Sequence, residues 1–273
     1  NSSQAISSIA SGGGYLYYGT YDGEIFVVDS TLTPTSLLKN PLFFGRLAYA
    51  SSTPGEAYIH RYRLHPDPKK VRYLPDLGQI TGLPLVRRLN NGDLLLVGHS
   101  GYHVYGPEAE TLIYDSKDDY TVRILSSLIL EDRVLLGTMS GLEELDPNQW
   151  NEVRPVFPDH PLLQGRINDM ALDQWGNIWL GTIGEGLLCM RGDSVIQISR
   201  DSGLFSNMVN CIRVQANGVL WIGTNRGLFQ VQYEDAEDLT ITSIVNLNHQ
   251  DGLPTNNVRF LELWRDKVWV ATD

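Results

Sequence analysis

One short phrase recurs along this chain at intervals of about forty residues, and no other feature limits its fold so tightly. The clearest copies are Gly176-Asn177-Ile178-Trp179-Leu180-Gly181-Thr182, Gly218-Val219-Leu220-Trp221-Ile222-Gly223-Thr224 and Asp266-Lys267-Val268-Trp269-Val270-Ala271-Thr272. Weaker copies centre on Tyr17, Leu96 and Leu135, and a degenerate one on Tyr58, where His60 and Arg61 replace Gly-Thr. The markers 17, 58, 96, 135, 179, 221 and 269 are spaced by 41, 38, 39, 44, 42 and 48 residues. A period in this range belongs to chains built from similar supersecondary units, each of which buries its apolar faces only against its neighbours.

The local pattern says what each unit is. Every copy follows a short apolar strand and a turn, as in Ile167 to Leu172 before Asp173-Gln174-Trp175-Gly176, or Val209 to Val214 before Gln215-Ala216-Asn217-Gly218. The better copies lead through a second glycine turn into a third strand, such as Gly186-Leu187-Leu188-Cys189 or Gly227-Leu228-Phe229-Gln230-Val231. A more polar fourth strand, for example Asp193 to Ile198, fills the remaining span. Four strands per forty-odd residues, repeated, predict an all-β fold: a β-propeller of four-stranded blades. About seven repeats fit into residues 1–273 as a single propeller, the last of them incomplete because the chain ends at Asp273, after its second strand. An open half-blade leaves an unpaired edge, so the chain is expected to be part of a longer polypeptide. The aromatic of the phrase is predicted to pack between blades, and the glycine after it to allow close backbone approach.

Composition removes several function classes. With 21 Lys+Arg against 32 Asp+Glu the formal charge is −11, and the densest basic run is Pro68-Lys69-Lys70, so phosphate backbones are repelled and nucleic acid is not expected as a partner. No apolar stretch approaches the length of a membrane-spanning helix, which is about 20 residues. The N-terminus has no charged region followed by an apolar one, so a secretory signal is absent or already removed. Cys189 and Cys211 lie in apolar runs without metal-ligand spacing and are expected as buried free thiols.

The phrase Asp173-x-x-Gly176-x-Ile178-Trp179-Leu180-Gly181-Thr182-x-x-x-Gly186-Leu187, with the linker Gly252-Leu253-Pro254-x-Asn256-x-Val258, resembles the two-component regulator propeller repeat. The match is strong in repeats five to seven, moderate in one, three and four, and poor in the second. The resemblance implies the extracytoplasmic, periplasmic sensor part of a bacterial hybrid histidine kinase. Such propellers often stand in tandem, ahead of an immunoglobulin-like domain and a membrane helix, and relatives sense oligosaccharides. It carries over no binding residues, because the family's shared positions are structural.

Catalytic patterns are weak. There is no metalloprotease, P-loop, EF-hand or nucleophile-elbow motif, and Gly98-His99-Ser100-Gly101 has the wrong spacing for the last. His99 and His103 fall on one strand face without a third ligand, and pairs such as Asp118-Asp119 and Glu143-Glu144 read as solvated charge. No cofactor, metal or catalytic residue is therefore expected. In a propeller the turns joining second to third strands share a face with the loops joining one blade to the next. That face offers Tyr21, His99, Tyr102, Glu185, Asn225 and Arg226 from the first set and Arg166 and His249 from the second, alongside Asp22, Met139, Asp159, His160, Phe205, Asn207 and Asn257. Aromatic rings beside amide, carboxylate and guanidinium groups suit a small hydroxyl-rich ligand such as an oligosaccharide. The leading expectation is a non-catalytic sensor acting with further domains of the same polypeptide, through relative movement or homodimer geometry. A propeller enzyme, either a streptogramin-lyase-like lyase or a glycosidase, and a protein-binding scaffold stay open as alternatives. The Gly-Thr-x-x-Gly-Leu phrase, in place of the lyase's Trp-Phe-Thr, favours the sensor.

Overall fold

The strand that carries Trp179, Ile178–Ile183, pairs with Arg166–Leu172 on one side and with Leu187–Arg191 on the other, which in turn pairs with Ser194–Ile198. All three pairings are antiparallel, the strands follow chain order, and short glycine-bearing turns connect them. The computed structural model describes residues 6–39, 50–53, 56–59, 62–73, 85–98, 101–108, 111–116, 120, 122–200, 203–204 and 206–273. Among these residues the same four-stranded unit occurs six times. The first sheet opens at Ile6–Gly12, the second at Ala50–Thr53, the third at Leu85–Arg88, the fourth at Ile124–Ile129, the fifth at Arg166–Leu172 and the sixth at Val209–Gln215. A seventh sheet has two strands, Val258–Trp264 and Lys267–Thr272. All seven sequence markers lie on the second strand of their sheet. His60, Arg61, His99, Ser100, Asp118, Asp119 and Phe205 lie outside the described residues.

The chain divides into two compact units: residues 1–124 with 264–266, and residues 125–263 with 267–273. In the first, Ala10, Tyr17 and Ile25 of the first sheet pack on Ala57 and Leu64 of the second, and Tyr58 packs on Val86, Leu94 and Leu96 of the third. In the second unit, Leu135 and Leu142 of the fourth sheet meet Ile167, Leu180 and Leu188 of the fifth. Trp179 and Cys189 of the fifth sheet meet Ile212, Phe229 and Tyr233 of the sixth, and Cys211 and Leu228 meet Val258 and Leu261 of the seventh. The apolar cores therefore lie between sheets, as repeated units that cannot bury both faces alone require. Tyr17, Tyr58, Leu96, Leu135 and Trp179 are buried, and Trp221 and Trp269 are half-buried.

At Gly181 and Gly223 the next sheet helps to explain the glycine that follows the marker. A Cβ on Gly181 would stand 2.6 Å from Val209 Cγ1, and one on Gly223 would stand 2.7 Å from Val258 Cγ1. The first strand of the following sheet thus occupies the space where a side chain would be. Cys189 and Cys211 are free and buried, as their apolar settings suggested. Burial, reinforced by the Asp173 and Asp235 carboxylates, pushes the Cys189 thiol up to about 12.

Candidate functional site

Around the fifth to seventh sheets the polar residues of the repeat fall into two groups, those that lock the sheets together and those left at the loop ends. Asp173 leads the first group. It is buried in the turn before Ile178–Ile183, and its carboxylate accepts five hydrogen bonds. Oδ1 takes the backbone N–H groups of Trp175 and Asn177, both at 2.9 Å. Oδ2 takes Asn177 Nδ2 at 2.9 Å, the Trp179 indole at 3.0 Å and the Tyr233 hydroxyl, from the sixth sheet, at 2.7 Å. Burial pushes this carboxyl up, but the bonds from Asn177, Tyr233 and Trp179 outweigh it and hold the group below the usual carboxylate range. In the next repeat Gln215 occupies the same position and accepts the Trp221 indole at 2.8 Å.

A second lock repeats in the first strands. Asn168 and Asn210 sit at register shifts in the fifth and sixth sheets, and each donates its side-chain amide to a carbonyl of the following sheet, Val209 O at 3.0 Å and Val258 O at 2.8 Å. Both stand eleven residues before the tryptophan of their repeat. That interval was available in the sequence but is outside the recurring phrase. Next to these amides, Arg213 reaches Asp169 Oδ2 at 3.1 Å and Glu262 Oε2 at 3.4 Å, joining the first strands of three successive sheets. Burial opposes its charge, yet the two carboxylates raise the guanidinium above its ordinary value. The threonine of the phrase has its own role. Thr138, Thr182 and Thr224 each donate to the carbonyl that closes the turn, Gly141, Gly186 and Gly227, all at 2.9 Å.

Loop asparagines in the linker phrase are structural as well. Asn207 Oδ1 accepts the Arg200 N–H at 2.9 Å, and Asn256 Oδ1 accepts the His249 N–H at 2.7 Å, so each pins the start of its own loop. The Asn207 carbonyl also receives Gly184 N at 2.8 Å and Gly186 N at 3.3 Å. This accounts for Gly-Leu-x-x-Asn as a packing signal.

Several expected ligand residues do come together on this background. Arg166 pairs with Ile183, Ile183 forms an isolated bridge with Met208, and Met208 Sδ accepts Asn225 Nδ2 at 3.4 Å. A line Arg166–Ile183–Met208–Asn225 therefore runs from the fifth sheet to the turn of the sixth, and exposed Arg226 follows Asn225 in the chain. Asn225 is oriented by the Ser206 hydroxyl, which donates to its Oδ1 at 2.7 Å, and Arg166 Nε by Asn168 Oδ1 at 2.8 Å. Exposed Met208 adds an apolar contact. Glu185 is half-buried and accepts Gln197 Nε2 at 2.9 Å on Oε2. His249 is exposed, in a one-turn segment by the seventh sheet, with Nδ1 2.9 Å from the Leu253 carbonyl.

The first unit gives a different result. Tyr21 is half-buried in the turn before Glu24–Val28. Tyr102 is a correction: it is 1% exposed, its ring 5.8 Å from Tyr114 and 5.7 Å from Tyr120, so it packs in the core and offers no face to a ligand. Strand alternation turned it inward, which a loop assignment from sequence could not register. His103 is buried against Asp115, 3.0 Å away. Among the described residues no group of three or more His, Cys, Asp or Glu could hold a metal ion, and no helix is long and apolar enough to cross a membrane.

This is the fold of a β-propeller, as comparison with solved structures bears out. The extracellular domain assigned to a hybrid two-component system of B. thetaiotaomicron matches 100% of the chain at 18% identity with a TM-score of 0.78. The chain spans 38% of that protein's length. A streptogramin B lyase matches 98% of the chain at 14% identity and TM-score 0.69, covering 91% of the lyase. Virginiamycin B lyase from Staphylococcus aureus matches 100% at 11% identity and TM-score 0.69, covering 93% of that chain. No curated protein sequence matches the chain. Residues 161–184 and 203–226 each match the family model described as two component regulator propeller.

Proposed function

We propose that this chain is a non-catalytic sensor propeller of a two-component signalling receptor, lying in the periplasm and passing its ligand state to a fused histidine kinase. One observation carries the reading: both regulator-propeller matches, 161–184 and 203–226, end at or beside the residues that form the Arg166–Met208–Asn225 line. The repeat that identifies the family thus also presents the open polar groups. The likeness of the whole chain to part of an extracellular two-component domain supports it. A guanidinium at each end, an amide between them and a thioether for apolar contact suit a hydroxyl-rich ligand, proposed as an oligosaccharide. Signalling would follow from tighter binding to one receptor arrangement than to the other, including a homodimeric one.

The test is thermal unfolding of the chain against a panel of oligosaccharides, repeated with Arg226→Ala. A melting shift with at least one glycan, reduced about tenfold in apparent affinity by the substitution, is the expected result. Absence of any shift across the panel rejects the carbohydrate assignment. Because two lyases share the fold, the chain should also be incubated with a streptogramin B antibiotic; linearisation of the ring would replace the sensor reading with an enzymatic one.

A further inference from the structure

The sulfur of this chain resides in four methionines and two cysteines, and the fold divides them by access. Met170 and Met190 are 6% and 4% exposed and pack in the core between the fourth and fifth sheets. Cys189 and Cys211 are buried free thiols, which burial keeps protonated and inert. Met139 and Met208 are 43% and 41% exposed, so an oxidant in solution meets these two sulfurs first.

The two exposed methionines differ in what surrounds them. Met139 stands in the turn between Val134–Thr138 and Leu142–Asp146, and its sulfur has no hydrogen bond among the described residues. Met208 is fixed by its neighbours. Its backbone forms the isolated bridge with Ile183, its N–H donates to the buried Ser206 Oγ at 3.0 Å, and the Ser206 hydroxyl donates to Asn225 Oδ1 at 2.7 Å. With Oδ1 engaged in this way, the amide cannot turn over, and its Nδ2 is held toward Met208 Sδ at 3.4 Å, in a contact that is itself exposed. The ring of hydrogen bonds thus closes on its poorest acceptor, because a thioether sulfur attracts a hydrogen less strongly than an oxygen does.

We propose that Met208 is an oxidation site whose sulfoxide is held by the Asn225 amide. In the reaction with hydrogen peroxide a sulfur lone pair forms the S–O bond, the O–O bond breaks, sulfur gives up two electrons, and the second peroxide oxygen leaves as water. The new oxygen is a strong acceptor, so the donor that Asn225 aims at Sδ gains a better partner than it had. Both side chains are exposed and have room to reach ordinary hydrogen-bond length, the oxygen swinging to the amide by rotation about the Cγ–Sδ bond. The amide covers one face of the sulfur, so oxygen arrives from the other and one sulfoxide epimer forms in excess. Met139 has no such amide to select a face. Methionine sulfoxide reductases, one for each epimer, return the thioether. The loop face thereby has a reversible redox response: oxidation turns the thioether of the line polar and fastens the Asn225 amide to it. Every readout below is on the chain itself, so this site and the ligand reading can fail separately.

The test treats the whole chain, and the chain with Met139→Leu, with hydrogen peroxide. Peptide mass spectrometry should show one added oxygen on Met139 and Met208 while Met170 and Met190 remain thioethers. In Met139→Leu, oxidation should move the Asn225 side-chain NH2 resonances. One epimer of Met208 should exceed the other about threefold, counted from the sulfoxide that each single-epimer reductase removes. Adding Asn225→Ala, at an exposed loop position, should bring the epimers to equal amounts. The melting temperature of oxidised Met139→Leu should stay within about 2 °C of the reduced form, less than the loss of one ordinary contact would cost. The proposal is overturned by equal oxidation of the buried methionines, by conversion of Met208 that leaves the Asn225 resonances in place, by an epimer ratio that does not depend on the Asn225 amide, or by a larger fall in melting temperature.

Discussion

Asp173 concentrates, in one side chain, the forces that hold neighbouring repeats together. Its carboxylate has five donors, one of them from the following sheet, and its titration lies below that of a free carboxylate. A group whose folded value is depressed contributes stability above its unfolded value, near 4, and that contribution fades as pH falls through the folded value. Asp173→Asn, which turns an amide donor toward existing donors, is expected to cost about 2–4 kcal/mol at pH 7. In urea unfolding the gap to the parent should narrow at pH 3; a pH-independent gap would show that charge is not the agent. Tyr233→Phe should cost about 1–2 kcal/mol, since it removes one charge-assisted donor. The cysteines make a separate prediction: neither should react with a thiol reagent at pH 8 in the native chain, and both should react in denaturant. The markers and the motif glycines were readable at this scale because each repeat places the same steric demand on its own short stretch. Tyr102 was not, because its burial depends on Tyr114 and Tyr120, which arrive from later in the chain.

The first strands show what one element does for the next. Asn168 and Asn210 bridge to carbonyls across the gap between sheets, at points where the strand register slips by a residue. Asn168→Ala and Asn210→Ala are each expected to cost about 1–2 kcal/mol by equilibrium unfolding, because a carbonyl between packed sheets loses its donor. Thr182→Val should loosen the turn before Leu187–Arg191 and cost about 1 kcal/mol, with faster amide exchange confined to that turn. Gly181→Ala should be the most damaging of these substitutions, at about 1–3 kcal/mol, since its Cβ meets the Val209 side chain and neither strand can retreat without breaking its ladder. Strand positions were legible from alternation and turn glycines. The bridging asparagines were missed because an asparagine in a strand carries no periodic signature of its own, and only the neighbouring sheet shows what it holds.

Across the molecule, burial is unequal. The fifth and sixth sheets share a core of twelve buried residues, among them Trp179, Phe229 and Tyr233, while the outer strands of the second sheet, Tyr62–Arg63 and Arg72–Tyr73, are two residues long. Native-state hydrogen exchange should therefore be slowest in Ile178–Ile183 and Val219–Thr224 and fastest in the outer strands of the second sheet, because local opening follows buried contact. Uniform protection over the whole chain would contradict a stack of units with individual stabilities. The two matched family segments supply six of these twelve residues, Trp179, Leu204, Val209, Ile212, Leu220 and Ile222.

From the sequence alone came the number of repeats, the strand that carries each marker, the close approach at the motif glycines and the buried thiols, all set by local period and by the size of single side chains. Tertiary structure decided which polar residues hold sheets or loops together and which stand at the loop ends. Asn207 and Asn256 lock their loops, Tyr102 turns inward, and Arg166, Met208 and Asn225 are left in one line. The physical reason is that a hydrogen bond between repeats joins residues some forty positions apart, so its existence is written in the packing of two units and in neither one alone.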